Sequence, residues 1–351
     1  NRQDTALQAA HMNSLHRRFT FRQALYTGLR EGGHVRGDGP GARLGEIGSL
    51  LFSTQRRHDV LPRFRESESR FKPDRQAEGR YHDYLNFLVL RELGGTHRRT
   101  HQNLEDVGLL VVGYYGLDAV AAAEDYWADV PLMADLETDV RYDLLLGLMD
   151  LMRKRYALPH RAILEPRKFE QEVIANLHEE ALIHDETFRG PIGYSDTADG
   201  GFPNTVYRLT TSPVTQPLVW TKRVFDAIGQ PLEHAEAVEL VREIVEKLGD
   251  PEAGFLVRHT ISPYYSRRRY DVWMVSPDLQ LWADPEQKQW RCPKCGTVHR
   301  FRTLRVCTGS TCRTTLDRRD LEGNYFRQVY ATPLGSAVPV RAEEHSGQVA
   351  G

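Results

Sequence analysis

Four cysteines lie in one short stretch of the chain, Cys292 and Cys295 within CPKC, Cys307 and Cys312 within CTGSTC. Two close pairs separated by eleven residues have the spacing of a metal site. A disulfide framework would spread its cysteines through the fold. Each pair sets two sulfurs on one side of a tight turn, and two turns supply the four ligands that zinc takes at about 2.3 Å. Pro293 stiffens the first turn, Gly296 permits a sharp exit from it, and Gly309 loosens the wider second turn. The competing readings are two disulfides, or four free thiols in a reducing compartment. The clustering selects one structural Zn2+, with iron left open as an alternative occupant of the same cage. Four thiolates leave no open coordination position, so the site braces a fold and performs no catalysis. His299 could replace one sulfur but is expected as a solvent-facing residue of the ribbon.

No other constellation carries chemistry as clearly. His184-Asp185-Glu186-Thr187 resembles an acidic ATP-handling motif, yet the phosphate-loop signature GxxxxGK[ST] is absent from the chain, and the segment reads as an exposed helix end. Glu343-Glu344 lacks a partner for acid–base work, and no Ser-His-Asp or Cys-His pattern has a defensible spacing. No catalytic residue is assigned. Trp273, Trp282 and Trp290 could stack on bases, but their placement around a strand and the ribbon favours packing. Net charge is −2, with positive charge gathered at His16-Arg17-Arg18, Arg56-Arg57-His58, His97-Arg98-Arg99, Arg153-Lys154-Arg155 and Arg267-Arg268-Arg269. Such clusters on a near-neutral chain are usually solvated faces.

The 351 residues suffice for two or three domains, and 40 % hydrophobic with 27 % charged residues is an ordinary folded composition. No run of 18 apolar residues occurs, so neither a membrane span nor a membrane partner is expected, and a cytoplasmic location is. Both ends read as cuts through structured segments. Apolar spacing predicts helices over 1–31, 77–93, 119–127, 142–155 and 234–248. Gly32-Gly33 ends the first, and Gly249 with Pro251 ends the last. Strands are expected near 108–115, 205–209, 254–260 and 270–276, with short elements over 324–332 and 338–345. The order helix, strand, SRRR turn, strand over 234–276 is that of the second half of a winged helix, whose hairpin touches phosphates. Glu239, Glu243 and Glu246 would repel phosphate from the helix, so a non-specific or scaffolding winged helix is expected, with an unrelated αβ hairpin as the equal alternative.

Several segments resemble one family. NRQDTALQAAHMN at the start is similar to the opening of the second motor domain of bacterial superfamily 2 DEAD/DEAH-box helicases, and VRAEEHSGQVAG at the end is similar to a later segment of that lobe. Between them, LRELGGTHRRTHQNLEDVGLLVV, YDLLLGLMDLMRKRYAL and WRCPKCGTVH with VCTGSTC resemble, in order, the arginine-rich segment, the following helix and the inserted zinc ribbon of the large repair and phage-defence members. His97 and Thr100 interrupt the basic run that is continuous arginine in the family.

The resemblance implies a mixed α/β chain in which parts of a RecA-like lobe flank an insertion. Residues 1–31 begin the lobe, 32–231 are a mainly helical insertion, 232–280 a winged-helix-like segment, 281–336 the zinc ribbon, and 337–351 the return to the lobe. It also implies an internal part of an ATP-dependent nucleic-acid helicase, with DNA as partner and RNA left open. ATP and Mg2+ would be bound by the full-length protein, because the Walker lysine, the acidic DExH strand and the arginine finger are all absent here. Arg2, Arg98, Arg99, His345, Ser346 and Gly347 match family positions along the nucleic-acid track, and Arg267, Arg268 and Arg269 join them from the hairpin reading. The alternative is a zinc-stabilised DNA- or protein-binding module without a motor.

Overall fold

The computed structural model describes residues 2–65, 76–94, 102–184, 186–188, 190, 192–196, 205–212, 214–262, 268–286, 288–309, 312, 314–321 and 323–336, with side chains from His16 onward. The fold is mixed α/β, as composition and periodicity predict. Helix α1 (Arg2–Glu31) is continuous and buries Phe21, Ala24, Leu25 and Leu29. It stops at Gly32-Gly33 in a Schellman turn. Gly33 adopts φ 76°, His34 N donates to Leu29 O at 2.8 Å and Gly33 N to Arg30 O at 3.1 Å. Helix α2 (Ile47–Arg57), which the sequence reading did not anticipate, packs on α1 and on α3 (Ala77–Leu93).

Strand β1 (Ala42–Arg43), β2 (Leu110–Tyr114) and β7 (Leu279–Ala283) form an antiparallel sheet in the order β1-β7-β2. The stretch expected as one helix over 119–127 is two, α4 (Leu117–Ala122) and α5 (Glu124–Trp127), followed by the single turn α6 (Pro131–Ala134). Ala123, at ψ 94°, breaks the ladder between α4 and α5. Helix α7 (Thr138–Lys154) is the central strut; it buries Leu144, Leu145, Leu148, Met149 and Met152 and packs on α4, on α10 (Gln216–Ala227) and on a strand of the second sheet. Between Pro159 and Pro166 the chain forms α8 (Arg161–Leu164), and α9 (Pro166–Glu172) follows.

The strand expected over 205–209 is β4 (Val206–Arg208); the loops expected elsewhere in 187–218 give way to β3 (Gly193–Ser195), which pairs with β4 in parallel, and to the start of α10. Helix α11 (His234–Leu248) opens with Glu233 N donating to Glu236 Oε2 at 2.8 Å and buries Leu240, Val241, Ile244, Val245 and Leu248. Strands β5 (Leu256–Ile261) and β6 (Tyr270–Val275) pair antiparallel, and β6 joins β3, giving the sheet β4-β3-β6-β5. The ribbon contributes β8 (Lys288–Arg291), β9 (Val298–His299) and β10 (Asp317–Asp320) in the order β10-β8-β9. Helix α12 (Tyr325–Ala331) closes the described chain against α1.

Buried charges bind these pieces. Arg141 donates to the carbonyls of Ala121, Met133, Ala134 and Leu136, satisfying backbone oxygens where α4 and α6 end. Arg327 on α12 does the same for Val107, Gly108, Pro285 and Glu286. Asp143 on α7 grips the ribbon: its carboxylate accepts from the backbone N–H groups of Arg302, Thr303 and Leu304 at 2.8–2.9 Å. Burial pushes its pKa up, and those three N–H donors oppose the rise. Replacing Asp143 with alanine orphans three donors at once. The expected loss is about 3 kcal/mol, read from the denaturant midpoint. Faster amide exchange at 302–304 should accompany it while α7 stays protected; unchanged exchange there would contradict the anchoring role.

Candidate metal centre and nucleic-acid contacts

The four cysteine sulfurs all lie within 4.8 Å of one another, with Cys295 Sγ and Cys307 Sγ 3.5 Å apart. Sulfurs about 2.3 Å from a central ion at the corners of a tetrahedron are about 3.8 Å apart, so the cluster has the size of a four-thiolate cage. The strand ending at Arg291 presents Cys292, whose N–H donates to Thr297 O at 2.9 Å, and Gly296 N returns to Cys292 O at 2.9 Å, closing the first turn. Gly296 takes φ 77°, the sharp exit its residue type predicts. In the second turn Gly309 N donates to Cys307 Sγ at 3.3 Å, and Cys312 N donates to Gly309 O at 3.0 Å. A Cβ on Gly309 would stand 3.2 Å from Cys312 Sγ and 3.4 Å from Cys307 Sγ, inside the sulfur cluster. Arg223 of α10 donates to Gly309 O and holds this wide turn against the helical body.

Electrostatics explains why the sulfurs need a cation. Cys292, Cys307 and Cys312 are buried and Cys295 is half-buried. The hydrogen bond from Cys307 holds Cys295 down, to about 3, while the same contact, with burial, drives Cys307 far up. Burial, then the hydrogen bond with Cys295, raises Cys312 to about 11. A divalent ion at the centre of the cluster would stabilise the thiolates and let the protons of Cys307 and Cys312 leave. The donor set is compatible with zinc and leaves no position for substrate.

His299 is neither a ligand nor solvent-facing, which corrects the sequence expectation. It is 6 % exposed, its ring stacks on Phe301 at 5.1 Å, and Phe301 stacks on Trp220 at 5.2 Å. Burial, then the charge of Lys154, lowers its pKa to about 3, so it packs as a neutral aromatic. Val298 and His299 are both covered on the two-residue strand β9, so no in–out alternation marks the buried ring. The segment at His184 is likewise no exposed helix end: His184 is half-buried after a single 3-10 turn, and Tyr84 Oη bonds to both its N–H and its carbonyl. Asp185 lies outside the described residues.

Of the expected nucleic-acid residues, Arg268 and Arg269 are exposed beside the start of β6. Arg2 is the first residue of α1, and its side chain is outside the described set, as are Arg98, Arg99, Arg267, His345, Ser346 and Gly347. Helix α11 turns Glu239 and Glu246 to solvent, and burial, then Glu239, raises the pKa of Glu243. That face repels phosphate, as the sequence indicated. The three tryptophans are half-buried and engaged. Arg258 lies over Trp273 at 4.4 Å, Trp282 Nε1 donates to Gly39 O at 2.9 Å, and Arg305 lies over Trp290 at 4.9 Å. A cavity of about 450 Å³ lies away from the cysteines, among Thr20, Phe21, Gln55, Tyr81, Leu88 and Ile183. Among the described residues its mainly apolar wall holds no cluster of metal-ligating groups. No described helix is long and apolar enough to cross a membrane. No family model, curated protein or solved structure matches the chain.

Proposed function

We propose that this chain is an internal part of an ATP-dependent DNA helicase or translocase, and that its cysteines hold one structural zinc ion. The ordered series of helicase-like segments motivates the reading, and one observation carries it. A body inserted into a motor lobe must leave and rejoin that lobe at neighbouring points. Here Arg22, on the helix that begins with the family-like NRQD segment, donates to Tyr330 Oη at 2.7 Å. Gln23 Nε2 donates to Val329 O at 3.0 Å, eight positions before Ala337, which opens the segment 337–351. The chain between them departs and returns at one place.

In this reading α1 and 337–351 belong to a RecA-like lobe, and the intervening residues form helical, winged-helix-like and ribbon parts that guide or separate strands. ATP and Mg2+ belong to the full-length protein; this chain supplies backbone-led contacts to DNA, centred on the β5–β6 hairpin. Free thiols that take up zinc suit a reducing compartment such as the cytoplasm.

Two measurements test it. The complete gene product should hydrolyse ATP faster when DNA is added, and a DNA-independent rate would favour the motor-free binding module. The chain itself should bind a DNA oligonucleotide with an affinity that falls steeply with salt. Reversing Arg268 and Arg269 to glutamate should weaken that binding roughly 10-fold and flatten the salt slope by about 2. Salt-insensitive binding would remove the hairpin from the interface.

A further inference from the structure

The four sulfurs differ in how solvent reaches them. Cys292, Cys307 and Cys312 are 2 % exposed or less, whereas Cys295 is half-buried. Cys295 also lines a polar pocket of about 250 Å³. Lys294, Gly296 and Thr297 of the same turn wall this pocket, with Arg291 before them and Gln102 and Asp106 across from it. Among the described residues, no other cysteine contributes to that wall. Two cations and one carboxylate make it polar, so it admits water and solutes of similar size. Cys307 Sγ, on the other cysteine turn, stands 3.5 Å from Cys295 Sγ. An accessible sulfur in contact with a covered one is the arrangement of an oxidisable pair.

We infer that Cys295 is a modification site for small peroxides and that Cys307 resolves the product, so that oxidation releases the zinc. The inference rests on the zinc reading above and adds a regulatory reaction to that site. Cys295 Sγ, as thiolate, attacks one oxygen of hydrogen peroxide. The O–O bond breaks, a sulfenic acid forms and hydroxide leaves. Cys307 Sγ, as thiolate, then attacks the sulfenic sulfur; the S–S bond forms and a second hydroxide leaves. Two thiolates and one peroxide thus become one disulfide and two hydroxides, with two electrons passing from sulfur to oxygen. Neither sulfur of a disulfide is a thiolate ligand, so two of the four zinc ligands are lost together. Cys292 and Cys312 alone do not close a tetrahedral cage. The ribbon exchanges a metal brace for one covalent link between its two turns.

The test treats the 351-residue chain, loaded with zinc, with a small excess of hydrogen peroxide and follows metal release with a chromogenic chelator. Dimedone traps the sulfenic acid, and peptide mapping places it. Trypsin cuts after Lys294 and so puts Cys292 and Cys295 on separate peptides. Dimedone should mark Cys295 first. Without dimedone, a Cys295–Cys307 disulfide should form as the zinc leaves, and dithiothreitol with added zinc should restore the metal. Gln102→Trp fills the pocket from outside the ribbon and should slow release roughly 10-fold with zinc content unchanged. Wild-type release from that variant would overturn the inference; if it does not fold, the mapping on the wild type decides alone. First labelling at Cys292, Cys307 or Cys312, a Cys292–Cys295 disulfide, or zinc retained with all four thiols intact would also overturn it and leave the zinc reading standing. A folded wild-type chain that takes up no zinc would remove both.

Discussion

A Cys307→Ser chain should carry no zinc, where the wild type should carry one ion, and should lose the fold of the ribbon while keeping that of α7 and α10. Cys307 is fully buried and sits 3.5 Å from Cys295 Sγ, so a hydroxyl in its place removes a ligand from the centre of the cage. The free energy of structural zinc binding is on the order of 10 kcal/mol in small zinc-finger peptides. A three-stranded ribbon with strands as short as β9 has little core of its own to replace that. Metal analysis and amide exchange check the prediction together: zinc should fall below about a tenth of an ion per chain, and protection over β8–β10 should disappear. A strong chelator should produce the same exchange pattern in the wild type, with recovery on adding zinc. His299 gives no rescue, because its ring is committed to Phe301. A zinc-free variant with a protected ribbon would sink the bracing role.

The second large effect is expected at Arg153, whose side chain is completely buried. It donates to Glu105 at 2.8 Å, to Asp150 at 3.0 Å and to Leu93 O at 2.6 Å. Removing it leaves two carboxylates in the interior, with Lys154 at 3.3 Å from Glu105 and Arg300 near Asp150 as the cations still beside them. Arg153→Met should therefore cost about 3–5 kcal/mol, measured by urea unfolding. Adding Glu105→Gln should recover part of the loss; a single-variant loss below about 1 kcal/mol would show that the network is solvated. The same network sets an acid limit. Burial alone would raise the pKa of Asp150, but Arg153 and then Lys154 outweigh it and hold the carboxyl at about 2, against an ordinary 3.8. The group's folded pKa is depressed, so its contribution is fully present above about pH 4 and is lost as pH falls towards 2. The shift corresponds to about 2 kcal/mol. The acid limb of the stability profile should be shallower in Arg153→Met.

What the sequence made legible was local. The cysteine cage could be read because all its ligands lie within one stretch and their spacing carries the geometry. Helices α3 and α11 matched their expected bounds because each is long, amphipathic and buried along one face. Helix α10 carried a readable signal that went unused, Thr215 as N-cap with Pro217 in the first turn. Strand β7 also carried an unused signal, Leu279 and Leu281 covered on either side of half-buried Gln280, but its partners β1 and β2 are both distant in the chain and no local pattern names them. The buried arginines were equally hidden. Arg141 and Arg327 bind backbone carbonyls, and backbone has no side-chain signature to search for.

The contact between Arg22 and Tyr330 spans 308 positions of sequence, and this separation has a kinetic meaning during synthesis. A ribosome adding about 5–20 residues per second needs roughly 15–60 s to deliver Tyr330 after Arg22 has emerged. For that interval Phe19, which packs on the rings of Phe326 and Tyr330, has no α12 to meet. Helix α1 thus waits with an apolar stripe uncovered, a nascent surface suited to chaperone capture, and the last turn of α12 releases it.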